Sequence, residues 1–414
     1  MRLRFFSIIT ILILLVGCST STSSKNDDEN IASIGNETDL PEQITVTYTI
    51  DFYKGTEVLD SKEVVSGERV ERPENPTDLE NSRFVGWYET PNFTKRFIFS
   101  KAITNNMNLY ARFINISYVP IGEETTVEEI ENSAVFISGR GITIPSLYVC
   151  DHEVTQAEWS EYMKVPSGLA KTGDNYPIHK INWYECIMYC NLRSEVEGLV
   201  PAYYVTVDGE DVYDVATWMS LDEEHIDADE NDKFFYKSNT YSNFLDAMQC
   251  NINANGYRIP TEAEWEFFAR ANNEVTNKVS SNGVTYATYD PVGDYAWYKD
   301  NTSTVHEVKE KINGGGTLGI YDILGNVSEM CFDRFDEIDI NTPITGANAF
   351  DENGNNRRLK CVRRGGCYTN QEYSEDSADS RKYPTGCNVD TRGQPKTPYD
   401  KNNYGGLRVV CTAN

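Results

Sequence analysis

Residues 257–270 read YRIPTEAEWEFFAR, and this stretch decides how the 414-residue chain folds. Thr261 and Glu264 form a capping box, in which the Thr hydroxyl accepts the amide of the third helical residue and the Glu side chain reaches back. Behind the cap, Trp265 and Phe268 recur at helical spacing. The stretch therefore predicts a helix that begins after Thr261 and buries an aromatic face.

Two further helix starts share this construction. Residues 155–158 read TQAE, a second capping box, and residues 182–185 read NWYE, in which Asn is the cap. Apolar residues follow the two caps at helical spacing, namely Trp159, Tyr162 and Met163 in one and Ile187, Tyr189 and Cys190 in the other. Because of that spacing, these side chains are predicted to lie in the core.

Short landmark segments are spread in order over most of the chain. They are EVTQAEW at 153–159, AYY at 202–204, YAWY at 295–298, GIYDILGNV at 319–327, RRGG at 363–366 and GLRV at 406–409. This order resembles the formylglycine-generating enzyme, or sulfatase-modifying factor, family. The resemblance implies a domain at 117–414 with an irregular α+β, C-type-lectin-like fold. The acidic residues 209–250 have no clear match and are predicted to be a loop insertion.

The oxidases of this family bind copper through two cysteines that follow the Gly-Gly motif, and they convert a substrate cysteine into formylglycine. Copper(I) is a soft ion and requires two thiolates there. The corresponding positions fall here at about Asn370 and Glu375, which supply no sulfur. The resemblance therefore implies that the catalytic residues are absent and that copper is an unlikely cofactor. Cys367 and Cys387 are left as an alternative thiolate pair, although their spacing differs from that of the family.

Another branch of the family uses iron held by a His-x-x-x-His-x-Glu motif. The four histidines of this chain are His152, His179, His225 and His306, and they are too widely spaced to form it. His306 matches a common family position in a loop, where a structural, hydrogen-bonded histidine is the better interpretation. A two-histidine, one-carboxylate site assembled across the fold has no sequence signal but stays open.

The segment GNVSE at 325–329 resembles a calcium-binding loop of the family. By that match, the carbonyls of Gly325 and Val327 and the carboxylate of Glu329 are predicted calcium ligands, with water completing a shell of hard oxygen donors. The alternative interpretation is a structural turn that holds no metal.

The cysteines fit a structural role better than a catalytic one. Cys190 matches a family position that pairs with a cysteine in the last strand, and Cys411 lies two residues beyond the usual place. A shift of two residues keeps the same strand face, so a Cys190–Cys411 disulfide is expected. Ten cysteines less Cys18 leave an odd number, so in an oxidising compartment at least one stays free.

Residues 43–114 form a separate β module. Alternating apolar residues from Ile44 indicate a half-buried strand, and the motif GWY at 86–88 is followed by a closing strand at 107–113. The order of these elements resembles the Listeria–Bacteroides repeat, a small β-grasp-like spacer or adhesion unit that is not an enzyme. Its aromatic residues Phe84 and Trp87 are predicted to be core.

The N-terminus has the pattern of a bacterial lipoprotein signal. Two arginines precede an apolar run that is too short to span a bilayer, and the run closes at Cys18. Residues 1–17 are the predicted signal, Cys18 the predicted lipidation site, and residues 18–42 a flexible polar tether. These features predict a protein anchored in the lipid bilayer of the bacterial cell envelope, facing the periplasm or the exterior. The alternative is a cleaved signal with an incidental cysteine.

The formal net charge of −27 argues against nucleic acid or anionic lipid headgroups as partners.

The segment between Tyr368 and Tyr404 contains a single aliphatic residue larger than alanine, Val389. Such a segment is predicted to be exposed loop. Tyr, Ser and Asn on a rigid frame resemble an antibody paratope, and in proteins of this fold that are diversified for recognition the variable face lies here. The predicted ligand face consists of Tyr368, Asn370, Tyr373, Tyr383, Tyr399 and Tyr404. The alternative is an ordinary surface loop.

These patterns favour a lipid-anchored envelope protein whose family domain binds an extracellular or periplasmic protein or glycan, without the copper oxidase site. The alternative hypothesis is an active oxygen-dependent oxidoreductase, of the formylglycine-generating or the non-haem iron type, with atypical metal ligands.

Overall fold

The computed structural model describes residues 45–77, 83–91, 97, 99, 101–114, 118–121, 123–131, 133–271, 275–279, 283, 285–311, 319–335, 360–372, 386–393, 396–401 and 403–412. The predicted signal at 1–17, Cys18 and the whole of the tether at 18–42 lie outside these residues. Across the part that is described, no helix has the length and apolar character needed to span a bilayer.

The strands are mostly short. They are β1 Thr47–Lys54, β2 Glu57–Val65, β3 Arg83–Tyr88, β4 Met107–Ile114, β5 Tyr118–Ile121, β6 Thr125–Val127, β7 Ile142–Ile144, β8 Leu147–Cys150, β9 Tyr203–Val207, β10 Glu210–Val212, β11 Ile226–Ala228, β12 Phe234–Tyr236, β13 Gln249–Cys250, β14 Val275–Val279, β15 Thr285–Tyr289, β16 Ser328–Arg334, β17 Cys361–Arg364, β18 Gly405–Gly406 and β19 Val410–Thr412.

The helices are α1 Gln156–Ser160, α2 Trp183–Glu197, α3 Val215–Leu221, α4 Asn243–Asp246, α5 Glu262–Ala271 and α6 Val292–Tyr295. The fold is mixed, with more strand than helix.

The predicted capping boxes are confirmed at α1 and α2, where Thr155 and Asn182 are the caps. At α5, Glu264 N donates to Thr261 Oγ1 over 3.1 Å and Thr261 N donates back to Glu264 Oε2 over 2.8 Å. Each box satisfies amides that would otherwise lack a partner at the helix start. The local sequence therefore fixes where these three helices begin.

The N-terminal module is a mixed sheet in the order β2-β1-β4-β3. β1 pairs antiparallel with β2 and parallel with β4. Alternation along β1 places Ile50 and Phe52 on the buried face, both 0% exposed. The Trp87 ring packs edge-on against Phe52 at 4.9 Å between centroids, and Phe84 packs against Trp87 at 5.4 Å. The predicted core role of both Phe84 and Trp87 is confirmed.

The larger domain is built from several small sheets around two buried apolar clusters. Its last strand, β19, pairs with β8, which also pairs with β5. β16 lies between β17 and β18 in a second three-stranded sheet. Trp265 of α5 is 0% exposed and donates to Glu329 of β16 over 2.7 Å. This places the helix predicted from residues 257–270 at the centre of the domain.

Residues 209–250 form structure rather than the predicted loop insertion. They contain β10, α3, β11, β12, α4 and β13. Trp218 and Leu245 from this segment are 0% exposed in the main core, and Tyr184 of α2 donates to Asp246. The expectation was wrong because a few apolar residues, among them Trp218, Ile226 and Leu245, are buried and hold these elements in the core. Many of the acidic residues, such as those at 210, 223 and 230, lie on the exposed side.

The repeat module contacts the C-terminal end of α2. Arg72 donates to the carbonyl of Glu195 over 3.1 Å and to that of Val196, and Asn75 donates to the carbonyl of Glu197 over 2.5 Å. The last carbonyls of a helix lack intrahelical partners, and a cation there also faces the negative end of the helix dipole. The module therefore supplies a cap for α2.

A second contact joins β3 and β4 to the end of α1. Tyr88 donates to Glu161, and Arg112 forms an ion pair with the same carboxylate. Glu161 is only 5% exposed, so this is a largely desolvated contact. Residues 46–414 accordingly form one compact unit.

Candidate functional site

A turn after β17 positions the candidate site. Gly365 and Gly366 both have positive φ angles, +84° and +74°, which side chains with a Cβ rarely adopt. A Cβ on Gly366 would lie 2.5 Å from the Gly386 carbonyl oxygen. The double glycine therefore turns the chain sharply and brings residues 367–370 against residues 386–393.

A cavity of about 190 Å³ opens beside this turn. The side chains that line it include those of Ser328, Arg363, Cys367, Asn370, Lys396 and Tyr404. Three elements contribute, since Ser328 begins β16, Arg363 belongs to β17, and Tyr404 directly precedes β18. The cavity therefore lies where the β17-β16-β18 sheet meets the loops that follow it.

Asn370 occupies one of the two positions at which the family's oxidases have a copper-binding cysteine, and it lines this cavity. Its Oδ1 accepts hydrogen bonds from the backbone N and the Sγ of Cys367, both over 3.0 Å. Burial raises the pKa of Cys367 above that of an ordinary thiol, although Thr369 opposes this effect. Glu375, the second position, lies outside the described residues.

Cys387 lies on the opposite side of the turn from Cys367. Its Sγ donates to the carbonyl oxygen of Cys367 over 3.4 Å. Burial raises its pKa well above the usual value, and proximity to Cys367 adds to the effect. Both sulfurs are therefore protonated thiols at neutral pH, whereas soft-metal ligation requires thiolates. Of these groups, the Cys367 thiol and the Asn370 amide line the cavity, whereas Cys387 is 0% exposed.

Two cations line the cavity. Arg363 is 4% exposed, and the side chain of Lys396 is 33% exposed and 3.9 Å from Asp400. Burial lowers the pKa of Arg363, and the attraction of Cys367 and Asp400 offsets only part of that effect. The cavity is therefore a cationic environment.

The structure brings together part of the predicted ligand face. Tyr368 and Tyr404 are half-buried near the cavity, while Tyr399 packs edge-on against Tyr241 with 4.9 Å between ring centroids. Tyr373 and Tyr383 lie outside the described residues.

The prediction that the whole segment is exposed loop was wrong for residues 386–391. Val389 and Cys387 are 0% exposed and belong to the second core cluster. Val389 N donates to the Ala287 carbonyl over 2.8 Å, and its own carbonyl accepts a hydrogen bond from Arg364. The segment is held through its backbone and one aliphatic side chain, which composition alone did not reveal.

The predicted calcium ligands Gly325, Val327 and Glu329 lie together at the start of β16. Glu329, however, is 0% exposed and accepts from Arg408 Nη2 over 2.7 Å. Trp265 donates to its other carboxylate oxygen over 2.7 Å. Both oxygens thus already have protein donors, and a cation would have to compete with Arg408. Calcium at this loop stays a prediction.

No disulfide joins Cys190 and Cys411 in the structure, contrary to the prediction. Cys411 lies in β19, opposite Tyr148 of β8. Cys190 lies on the buried face of α2, where burial and then Cys250 raise its pKa. The two-residue displacement of Cys411 preserves the strand face, but the resemblance alone did not determine how far β19 lies from α2.

Sequence analysis missed a buried cluster formed by Cys150, His152 and Glu158. The His152 Nδ1 atom lies 3.7 Å from Cys150 Sγ, and Nε2 lies 3.3 Å from Glu158 Oε2. One ligand atom from each residue lies within 4.8 Å of the others, and Asp151 also contacts His152 Nδ1. Against the effect of burial, His152 and Arg193 lower the pKa of Glu158 to about 2. The cluster is an ion-pair network.

His306 is hydrogen-bonded, as predicted. Its Nε2 lies 2.8 Å from Thr302 Oγ1 and its Nδ1 lies 3.0 Å from Glu310 Oε2. The ring stacks on Trp297 with 3.6 Å between centroids.

Comparison with known proteins places the chain in a family. The sulfatase-modifying factor enzyme 1-like domain matches residues 97–413, and the Listeria-Bacteroides repeat domain matches residues 45–112. The chain therefore belongs to the sulfatase-modifying factor family, with the repeat preceding the family domain.

Individual relatives are more distant. The chain is 32% identical over 210 residues to "Chaperone protein LppX" of Paenibacillus barcinonensis, a match that covers 47% of this chain and 65% of that protein. The chain thus spans about two thirds of the length of this curated relative.

Among solved structures, Treponema denticola variable protein 1 superposes with a TM-score of 0.51 at 25% identity, covering 72% of this chain and 96% of its own. CarF superposes with a TM-score of 0.46 at 18% identity, covering 72% of this chain and 99% of its own.

Proposed function

We propose that this protein acts by binding, through the surface around the cavity at Gly366, and that its domain lacks the copper oxidase site of the family. One observation carries the proposal. Asn370 stands where a thiolate is needed, and its amide oxygen accepts a hydrogen bond from the Cys367 thiol over 3.0 Å. A hydrogen-bonded, neutral thiol beside an amide has the chemistry of a polar pocket and not that of a copper(I) site.

The shape of the region supports a ligand face. Tyr368 and Tyr404 are half-buried, so each ring is held at its base while part of it meets solvent. Tyrosines held in this way supply contact area at a low entropy cost. The chain is also similar to a protein named a variable protein, and loops that carry binding residues are where related proteins are expected to vary.

An envelope location is part of the proposal. The N-terminal pattern that ends at Cys18 predicts lipidation, and the relative named a chaperone belongs to a class of proteins that act by binding others. The net charge of −27 disfavours nucleic acid as the ligand. A protein or glycan met outside the cytoplasm is the expected partner.

A binding assay with matched variants tests the proposal. The purified full-length protein is screened against immobilised glycans and against envelope and host-surface proteins, beside a Tyr368→Ser/Tyr404→Ser double variant. Tyr148→Ser is the control, because Tyr148 is 43% exposed on β8. We expect the double variant to lose about tenfold or more in affinity, as for substitution of interface hot spots. Equal binding by all three proteins would contradict the proposed face.

An oxidoreductase is the second candidate, because the Cys387 sulfur lies 3.4 Å from the Cys367 carbonyl oxygen, so that two cysteines meet at the Gly366 turn. Copper and iron are measured per chain by mass spectrometry, and oxygen consumption is followed with a cysteine-containing sulfatase peptide. We expect neither stoichiometric metal nor turnover. Stoichiometric metal together with peptide turnover would replace the binding function by the oxidase.

Calcium is tested separately, by comparing the melting temperature in millimolar calcium with that in a chelator. A calcium-dependent rise would support ligation at Gly325, Val327 and Glu329 and would imply that the ion displaces Arg408 from Glu329.

A further inference from the structure

Four buried side chains outside the candidate site lie together where β8 leads into α1. Cys150 ends β8, Asp151 and His152 follow it, and Glu158 belongs to the first turn of α1. Cys150 is 0% exposed, and His152 and Glu158 are each 3% exposed. One ligand atom from each of these three residues lies within 4.8 Å of the other two. Thiolate, imidazole and carboxylate are the donor groups that proteins use to bind zinc.

The imidazole of His152 is oriented in the way that is typical of metal-bound histidines. Its Nδ1 atom contacts the Asp151 carboxylate, and Lys309 Nζ lies 2.7 Å from the other oxygen of that carboxylate. A histidine that ligates a metal through one ring nitrogen generally donates from the other to a carboxylate, which fixes the tautomer and the ring plane. Asp151 is placed for that role, and Nε2 is then the ring atom that meets a metal.

The distances at Nε2 fit a zinc ion. Nε2 lies 3.3 Å from Glu158 Oε2. Zinc bonds of about 2.0–2.1 Å at a tetrahedral angle separate a nitrogen and an oxygen ligand by roughly 3.3 Å. The sulfur of Cys150 lies 3.7 Å from His152 Nδ1. Its 4.8 Å limit from the other ligand atoms exceeds the roughly 3.5 Å expected between sulfur and nitrogen on one zinc ion by about an ångström. Rotation about the single side-chain torsion of Cys150 covers such a displacement.

The charges of the cluster allow a divalent cation to replace protons. Although burial lowers the pKa of His152, Cys150, Glu158 and Asp151 raise it well above its usual value, so the imidazole is protonated at neutral pH. Zinc displaces protons from thiol and imidazolium ligands when it binds. An ion that releases the His152 and Cys150 protons brings the two positive charges that these protons take away. The net charge of the cluster is therefore the same in both states, and Lys309 keeps its contact.

One oxygen of Glu158 is short of a partner. Among the described residues no group donates a hydrogen bond to Oε1, and Arg193 Nη1 approaches it only to 3.6 Å. Oε2, by contrast, accepts from the backbone N of Thr155 over 2.8 Å. A buried polar atom without a partner is costly and requires an explanation. A cation beside the carboxylate supplies one, and either Oε1 or a water completes the four ligands that zinc prefers.

We propose that Cys150, His152 and Glu158 bind one zinc ion that joins β8 to α1, with Asp151 orienting the imidazole. Without metal, the same side chains form the ion-pair network described above. The site is buried, so the ion enters as the chain folds and its role is structural. One sulfur, one nitrogen and one oxygen donor suit zinc, whereas calcium and magnesium prefer oxygen donors throughout. This inference is independent of the proposed binding function.

The metal content of the folded protein tests the site. The full-length protein is produced with zinc in the medium and dialysed against a weak chelator, and zinc per chain is measured by mass spectrometry. We expect about one zinc ion per chain in the wild type and less than about a tenth of that in Cys150→Ser, because the thiolate ligand is lost. Cys250→Ser is the matched control, since Cys250 is half-buried in β13 and outside the cluster. Wild-type protein without zinc, or Cys150→Ser with as much zinc as Cys250→Ser, would overturn the proposal.

Two measurements on the wild type keep the test decisive even if Cys150→Ser does not fold. After refolding with cobalt(II), we expect a sulfur-to-cobalt charge-transfer band together with the visible bands of tetrahedral cobalt. The melting temperature should also be higher in zinc than in a chelator, because an ion that binds only the folded chain stabilises it. Refolded protein without the charge-transfer band, or a melting temperature unchanged by zinc, would leave the cluster as ion pairs alone and overturn the metal site.

Discussion

The repeat module and the family domain are stabilised in different ways. The module packs Phe52, Phe84 and Trp87 edge-to-face behind a regular sheet, and among its described residues no charged side chain is buried. The family domain has little regular structure, yet its interior contains arginines such as Arg364 and Arg408 at 0% exposure, each held by glutamates. A regular sheet needs only an apolar face, whereas irregular segments need specific polar contacts to fix them.

The buried ion pairs also orient their surroundings. Arg408 donates to Glu329, to the Cys150 carbonyl over 2.8 Å and to the Tyr321 carbonyl over 2.7 Å. One side chain thus joins β16, β8 and the loop before β16. Buried pairs contribute little net stability compared with apolar contacts, but breaking one leaves a charge without a partner.

The largest effect is expected for Arg408→Met. The change leaves Glu329 charged, 0% exposed and without its cation, which costs about 3–5 kcal/mol of unfolding free energy. Chemical denaturation followed by circular dichroism measures it. Lys62→Met in the module, whose pair with Asp60 spans 3.8 Å and is partly exposed, is the control and should cost less than about 1 kcal/mol. Similar losses in both variants would remove the contrast between the two regions.

A smaller effect is expected where the two regions meet. Glu161→Gln keeps the shape of the side chain but removes the charge that pairs with Arg112 and accepts from Tyr88. We expect a loss of about 2 kcal/mol, typical of a hydrogen bond to a charged group. Hydrogen exchange should report faster exchange in β3 and β4 than in α5. Uniform acceleration would mean that the contact does not act locally.

The pH dependence of stability should also separate the regions. Burial raises the pKa of Asp322 to about 6 from its usual 3.8, although the Lys309 amide and Arg408 oppose it. The folded chain therefore keeps this proton to higher pH than the unfolded chain, so stability falls as pH rises from about 4 towards 6. Asp322→Asn should be close to the wild type in stability near pH 4 and about 3 kcal/mol more stable at pH 8. Chemical denaturation of both proteins at pH 4 and at pH 8 measures this difference. An equal difference in stability at the two pH values would contradict the raised pKa of Asp322.

The smallest effect is expected in the aromatic core of the module. Phe84→Leu keeps an apolar side chain but removes its edge-on contacts with Trp87 and with Phe113 at 5.8 Å. We expect the unfolding free energy to fall by about 1 kcal/mol. This loss should be the same at every pH. Thermal unfolding at two pH values measures both. A pH-dependent loss would show that the module also relies on ionisable groups.

Local signals in the sequence predicted local structure well. The caps Thr155, Asn182 and Thr261 are followed by helices as expected, because a capping box needs only residues within one turn. The strand alternation around Phe52 predicted its burial for the same reason. Contacts between distant segments were predicted less well, as the unformed Cys190–Cys411 disulfide illustrates.

The residues of the candidate site were likewise predicted only in part. The sequence identified Asn370 as a replacement for a family thiol, and the structure places it in a cavity. It did not identify Arg363 and Lys396 as cations of that cavity, because they come from β17 and from a loop more than thirty residues later. No spacing rule links two such residues, whose proximity depends on how the sheet and the glycine turns bring the loops together.

The sequence by itself determined the family, the order of the two regions, the helix starts and the absence of sulfur at residue 370. The tertiary structure decided which buried arginine meets which glutamate, that residues 386–391 belong to the core, and that the cavity is cationic. The physical reason is the sequence distance over which each interaction acts. Capping and alternation act over a few neighbouring residues, while charge compensation and cavity shape depend on groups that only the folded chain brings within a few ångströms.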